Sequence, residues 1–198
     1  MKFALTAFAA AALATMTALP AQAATIVNLN GVANASLTGT NGVKVTLDAG
    51  TYNLSFLNSP NLAFTRFSSV AGCDGAGKNC VQGWENSARY IIDGTTYLFG
   101  DGAGSGGLGP LGVGDGYYSS AALSFANSGI YQGSFKLDTA SEVTFFLYDD
   151  NLSDNSGGVS LSVAAVPEPA AWMMMIVGIG AIGGLMRRKR TTASVRYA

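Results

Sequence analysis

The sequence predicts an all-β protein: one antiparallel β-sandwich, flanked by an N-terminal signal helix and a C-terminal transmembrane helix. Three observations carry this. Between Thr25 and Val163, apolar and polar side chains alternate with the two-residue period of strands. Gly, Asn, Asp and Ser interrupt the alternation at close spacing, which marks roughly nine or ten short strands. Each end of the chain is instead a continuous apolar run with a basic flank.

The first run reads as a secretory signal. Lys2 supplies the positive start, Phe3 to Leu19 the apolar stretch, and Ala21-Gln22-Ala23 the small-x-small pattern that signal peptidase accepts. Residues 1–23 are therefore expected to be removed, leaving an exported body over 24–165.

Within the body, Val43, Val45 and Leu47 alternate with Lys44, Thr46 and Asp48 before a turn at Ala49-Gly50. In TYNLSFL, Tyr52, Leu54 and Phe56 share one face. ARYIID, TTYLFG, AALSFAN, YQGSFKL, EVTFFLYD and GVSLSV continue as expected strands, and no amphipathic helix is expected among them. Tyr131, Gly133, Phe135 and Leu137 form one apolar set; Val159, Leu161 and Val163 form another. Adjacent Phe145 and Phe146 point to opposite faces, so their strand should be buried on both sides. Phe99 to Gly116 is too rich in glycine for a regular element and reads as a loop, either a plain surface connection or a binding edge with Asp101 and Asp115. A body of this size can bury a two-sheet core of jelly-roll or galactose-binding-like form.

Cys73 and Cys80 flank DGAGKN. In an exported chain they should form a short-loop disulfide, with Gly75 and Gly77 giving the backbone freedom to close it. The chain contains no histidine, which excludes Ser-His-Asp and Cys-His catalysis but leaves carboxylate pairs available. Between Ala24 and Val166 there are five basic and eleven acidic residues, a net charge of −6 against −1 for the whole chain. Such a body has no basic patch for nucleic acid.

The last strand ends at Val166-Pro167-Glu168-Pro169, where two prolines one residue apart prohibit further ladder pairing. Ala170 to Met186 then runs without a charge, about 26 Å as a helix and within spanning range. Trp172 suits a headgroup interface, and Arg187, Arg188, Lys189 and Arg190 should hold the following tail, 191–198, in the cytoplasm. Gly180 and Gly184 suit either helix association or recognition by a membrane enzyme.

Pro167-Glu168-Pro169, Trp172, the Met-rich glycine-spaced stretch and the basic cluster together resemble a PEP-CTERM sorting signal over 166–190, closest to the PEP-x-x-W-A form of Gram-negative bacteria. Met173 stands where that form usually has Ala. The resemblance implies export through the inner membrane and a membrane-anchored precursor. An exosortase would then process it near Pro-Glu-Pro, releasing a protein of the cell surface or matrix, associated with exopolysaccharide or biofilm.

One body segment suggests chemistry. In YDDNLSDNSGGVSLSV, Asp149, Asp150, Asn151, Asp154 and Asn155 gather oxygen donors of the kind calcium takes. Asp-Asn-Ser-Gly-Gly-Val before a closing strand is similar to the ligand loop of calcium-dependent galactophilic bacterial lectins. By that resemblance Asp154 and Asn155 are the adjacent ligand pair, and Asp149 or Asp150 the earlier carboxylate. The same residues equally suit a hairpin whose Asp and Asn side chains satisfy local turn geometry. Trp84 has two readings, a core anchor or a sugar-stacking face.

The sequence therefore points to a surface-sorted structural or adhesive protein that is not an enzyme. A calcium-dependent carbohydrate-binding module is the alternative. A polysaccharide-active enzyme using Glu85 or Glu142 is the remote one, and a helix that is never cleaved would leave the protein membrane-anchored.

Overall fold

A computed structural model of the chain describes residues 23–66, 70–101, 117–128, 131–167 and 169–188, with the side chains of 128, 169–174 and 185–188 left aside. It divides into two units. One is the body, Gln22–Glu168; the other contains the C-terminal helix.

The body is a two-sheet antiparallel sandwich. Its strands are β1 (Thr25–Asn30), β2 (Val43–Leu47), β3 (Gly50–Leu57), β4 (Phe64–Thr65), β5 (Trp84–Glu85), β6 (Ser87–Ile92), β7 (Thr95–Gly100), β8 (Gly133–Leu137), β9 (Ser141–Phe146) and β10 (Ser156–Ala165). One sheet runs β5-β4-β10-β3-β8, with β1 on β10; the other runs β2-β9-β6-β7. β3 and β4 lie end to end along β10: Leu57 pairs with Ser160, and after a six-residue detour Phe64 pairs with Gly157. β1 covers the opposite edge, with Thr25 facing Val163 and Asn30 facing Gly158. β10 is therefore the central strand of its sheet.

The expected inward faces meet between the sheets. Tyr52, Leu54, Phe135, Leu137, Val159, Leu161 and Val163 from one sheet close on Leu47, Ala88, Tyr90, Phe99, Val143 and Phe145 from the other. Tyr90 stacks near Phe135, with ring centroids 5.4 Å apart across the sheets. At about 25 cal/mol per Å², burying each such side chain contributes about 1.5–3 kcal/mol. Phe145 and Phe146 are both buried, as their adjacency requires. Phe145 enters the core, while Phe146 lies beneath the β1–β2 connection. Gly39, at φ +79°, brings that backbone so close that an added Cβ would meet the rings of Phe146 and the end of Ile91.

AALSFAN departs from expectation. It is a helix, α1 (Ala121–Ser128), instead of a strand. Ala121, Ala122 and Leu123 favour helix, and Ser120 caps it: its Oγ accepts from Leu123 N at 3.2 Å, and its carbonyl from Ser124 N at 3.0 Å. The alternation of apolar residues in this stretch is too short to separate the two periods.

The second helix, α2 (Pro169–Arg188), covers the segment expected to span a membrane. Met175, Ile176, Val177, Ile179 and Ile182 are exposed on it. Among the described residues no helix is long and apolar enough to cross a membrane, and both ends of the expected span, 170–186, fall on undescribed side chains.

Candidate functional site

Two features stand out on the body: a buried cluster of charges and the C-terminal end of its last strand. The cluster joins the two sheets at one end. Arg66 follows β4, Glu85 lies on β5, Arg89 on β6, Asp101 follows β7, and Tyr148 and Asp149 follow β9. Glu85, Asp101, Asp149 and Arg89 are all buried. Arg66 Nε sits 3.9 Å from Glu85 Oε1 and 4.0 Å from Asp149 Oδ2. The guanidinium of Arg89 lies 3.2 Å from the centre of the Tyr148 ring, a cation–π contact.

Three carboxylates thus face two guanidinium groups. Burial pushes the Glu85 carboxyl up to about 8, with Asp101 and Asp149 adding to the rise and Arg66 and a hydrogen bond from Ser87 opposing it. Burial would lower the Arg66 guanidinium, but Glu85, Tyr117, Asp149 and Tyr148 hold it above its usual value. Burial lowers Arg89, with Tyr148 opposing. Burial and then Glu85 push the Tyr117 phenol up to about 12. This arrangement can hold two sheets together. Sequence reasoning named Glu85 only as a remote acid and missed Arg66 and Arg89. The available signal was Arg89 inside SARYII, a charge in an otherwise apolar strand.

The predicted calcium ligands do not converge. Asp149 turns inward: its Oδ1 accepts from the backbone N–H of Asp150 at 2.7 Å and of Asn151 at 3.2 Å, while Oδ2 faces Arg66. Asp150 is exposed. Asp154 Oδ2 accepts from Asn151 Nδ2 at 2.8 Å. Asn155 Nδ2 donates to the Gly31 carbonyl at 2.8 Å, tying the loop to the end of β1. Among the described residues no group of three or more acidic or thiol side chains could hold a metal ion. Local turn geometry takes up Asp149 Oδ1 and Asp154 Oδ2, while Asp154 Oδ1 and Asn155 Oδ1 are buried without a hydrogen-bond partner.

Cys73 and Cys80 form the expected disulfide. Asp74 closes the same loop: its Oδ1 accepts from the N–H groups of Ala76 and Lys78, both at 2.9 Å. Trp84 is half-buried over β10, where a Cβ on Gly157 would come within 2.9 Å of its ring. A groove of about 570 Å³ between β3, β8 and α1, lined by Ser55, Phe125, Gln132 and Ser134, contains none of the predicted site residues.

At the C-terminal end of the body, β10 pairs with β3 up to Ala165, which faces Tyr52. Val166 N still donates to the Thr51 carbonyl at 2.8 Å. Pro167 is exposed and outside the ladder, since it has no N–H to extend it. Pro169 begins α2, where a missing N–H costs nothing. Trp172, Arg187 and Arg188 lie on the α2 backbone, their side chains undescribed. Glu168, Lys189, Arg190 and the tail 191–198 lie outside the described residues, as do 1–22 of the signal segment and 102–116 of the glycine-rich loop.

A folded sandwich followed at once by Pro-x-Pro, a helix and a basic end has the form of an exported body carrying a C-terminal sorting signal. The comparison with known families agrees: residues 165–190 match the PEP-CTERM protein-sorting motif. The chain thus carries a C-terminal PEP-CTERM sorting motif, which supports export and sorting by an exosortase to the surface or extracellular space. No curated protein and no solved structure matches it.

Proposed function

We propose that the body is a structural or adhesive component of the extracellular matrix, associated with exopolysaccharide or biofilm and without enzymatic activity. The observation that carries this reading is the sorting motif, joined to the central strand of a closed sandwich. The acids support it too. Glu85 is buried against Arg66, and Glu142 is exposed and paired with Lys44 at 2.8 Å. A carboxylate-based hydrolase needs two acids facing each other across an accessible cleft, about 5–10 Å apart. Signal peptidase and the exosortase are the partners during export, with the membrane holding the precursor through α2.

The test is whether the processed protein co-sediments with the exopolysaccharide of its own cells. Retention that resists salt but is lost when the polysaccharide is digested supports the reading. Free diffusion of the protein into the medium, with matrix mass unchanged in cells lacking it, would sink it.

A further inference from the structure

The groove between β3, β8 and α1 has an uncharged, hydrogen-bonding floor, made by the outer face of the two strands. Asn53 pairs with Ser134, and continuing that register by one residue sets Ser55 opposite Gln132. All four are exposed, and among the described residues none of their side chains has a hydrogen-bond partner. Phe125, half-buried on α1, lines the other side. The floor is also preformed. β3 is held between β10 and β8, and Phe56 stacks on Phe99 at 4.6 Å and meets Tyr131 edge-on at 6.1 Å.

This chemistry selects a class of ligand. Two amides and two hydroxyls each both donate and accept, as the hydroxyls of a sugar do. None of the described residues lining the groove is charged. An anionic polymer needs cations to neutralise it, and a body of net charge −6 repels one. Lys136, further along the same face of β8, is paired with Asp138 at 2.7 Å. A wholly apolar partner would leave the amides unpaired beneath it. An uncharged pyranose satisfies both parts of the groove, hydroxyls on the floor and an apolar C–H face on the aromatic ring. The volume, about 570 Å³, lies within the roughly 300–1,000 Å³ of small-ligand sites, so a short stretch of glycan fits.

We propose that this groove binds an uncharged polysaccharide chain, a site that rests on the matrix role proposed above. Asn53, Ser55, Gln132 and Ser134 exchange hydrogen bonds with the sugar hydroxyls, and Phe125 covers the C–H face of a ring. A preformed floor keeps the ordering cost of binding low. No carboxylate takes part, so binding persists in the presence of a chelator.

Titration calorimetry of the full chain, in a detergent without a sugar headgroup, tests this. The probes are malto-, cello-, manno- and galacto-oligosaccharides, with oligogalacturonate as the acidic counterpart. At least one neutral series should bind, unchanged by a chelator, and the acidic one should not. Asn53→Ala and Gln132→Ala should each weaken binding about 2- to 10-fold, the loss of one hydrogen bond, with the melting temperature unmoved. Asn28→Ala, exposed on β1 of the same sheet and outside the groove, should change nothing. The proposal is overturned if no neutral series binds at millimolar concentration, if the groove variants leave binding intact, or if oligogalacturonate binds equally well. A dimer that Phe125→Ala abolishes would assign the groove to a second copy instead. Co-sedimentation with the matrix but no oligosaccharide binding would overturn the groove alone. Oligosaccharide binding without co-sedimentation would count against the matrix reading alone.

Discussion

Arg66, directly after β4, and Glu85, on the neighbouring strand β5, lie 3.9 Å apart at one end of the sandwich, the carboxylate buried and the guanidinium half-buried. A lone pair of this kind gains little, because desolvation offsets the attraction. Here Asp101, Asp149, Arg89, Tyr117 and Tyr148 complete a cluster drawn from both sheets.

That cluster makes stability depend on pH. The Glu85 carboxyl is raised from its ordinary 4.5 to about 8 in the folded state, so the native protein holds a proton there that the unfolded chain releases. Its contribution is fully present below about 4.5 and is lost as pH rises through 8. The melting temperature should therefore fall between pH 5 and pH 8.5. Glu85→Gln should flatten the fall and exceed the native protein at pH 8.5. Identical profiles for the two proteins would refute this assignment.

The disulfide should contribute through the unfolded chain. Replacing both Cys73 and Cys80 by Ser should cost about 2–3 kcal/mol, the entropy of closing a short loop. Urea denaturation of the exported body reads this directly, as a lower midpoint at an unchanged slope. An unmoved midpoint would mean that the Asp74 hydrogen bonds alone hold the loop.

Two glycines separate backbone strain from crowding. Gly94, in the β6–β7 turn, has φ +77° and open space around it. Gly100 has φ +107°, and a Cβ there would strike the Asn86 carbonyl oxygen and the Phe56 ring. Gly94→Ala should cost about 1–2 kcal/mol from conformation alone. Gly100→Ala should cost about 1–3 kcal/mol more, from overpacking. Equal melting points for the two variants would contradict the close approach at Gly100.

Much of this was legible in the sequence, for identifiable reasons. Sets such as Val159-Leu161-Val163 have period two and one buried face, so strand and orientation follow together. The sorting segment was legible because its parts sit in a fixed linear order. α1 was not, since seven residues of AALSFAN suit either period and Ser120 as a cap was overlooked. Nor was the charged cluster: Arg66, Glu85, Asp101 and Asp149 are far apart in the chain and meet only through strand pairing. The loop 149–155 stays open to two readings in sequence, because Asp and Asn serve turns and cations with the same oxygens.

The basic end should act on destination and not on folding. Replacing Arg187, Arg188, Lys189 and Arg190 together by Ala should leave the melting temperature of the body within about 1 °C, since a surface change remote from the core costs little. The amount of processed protein reaching the surface should drop at least about tenfold as the orientation signal is lost. Quantitative blotting of surface and membrane fractions reads both pools. Normal surface delivery would show that the cluster is dispensable.

The central claim is that this chain is sorted by an exosortase through residues 165–190. Intact-mass measurement of the protein recovered from outside the cells, with and without the exosortase, tests it most directly. The account predicts a product lacking α2 when the enzyme is present, and an uncut precursor retained in the membrane fraction when it is absent. The same mass outside the cells in both strains, with α2 still attached, would contradict it.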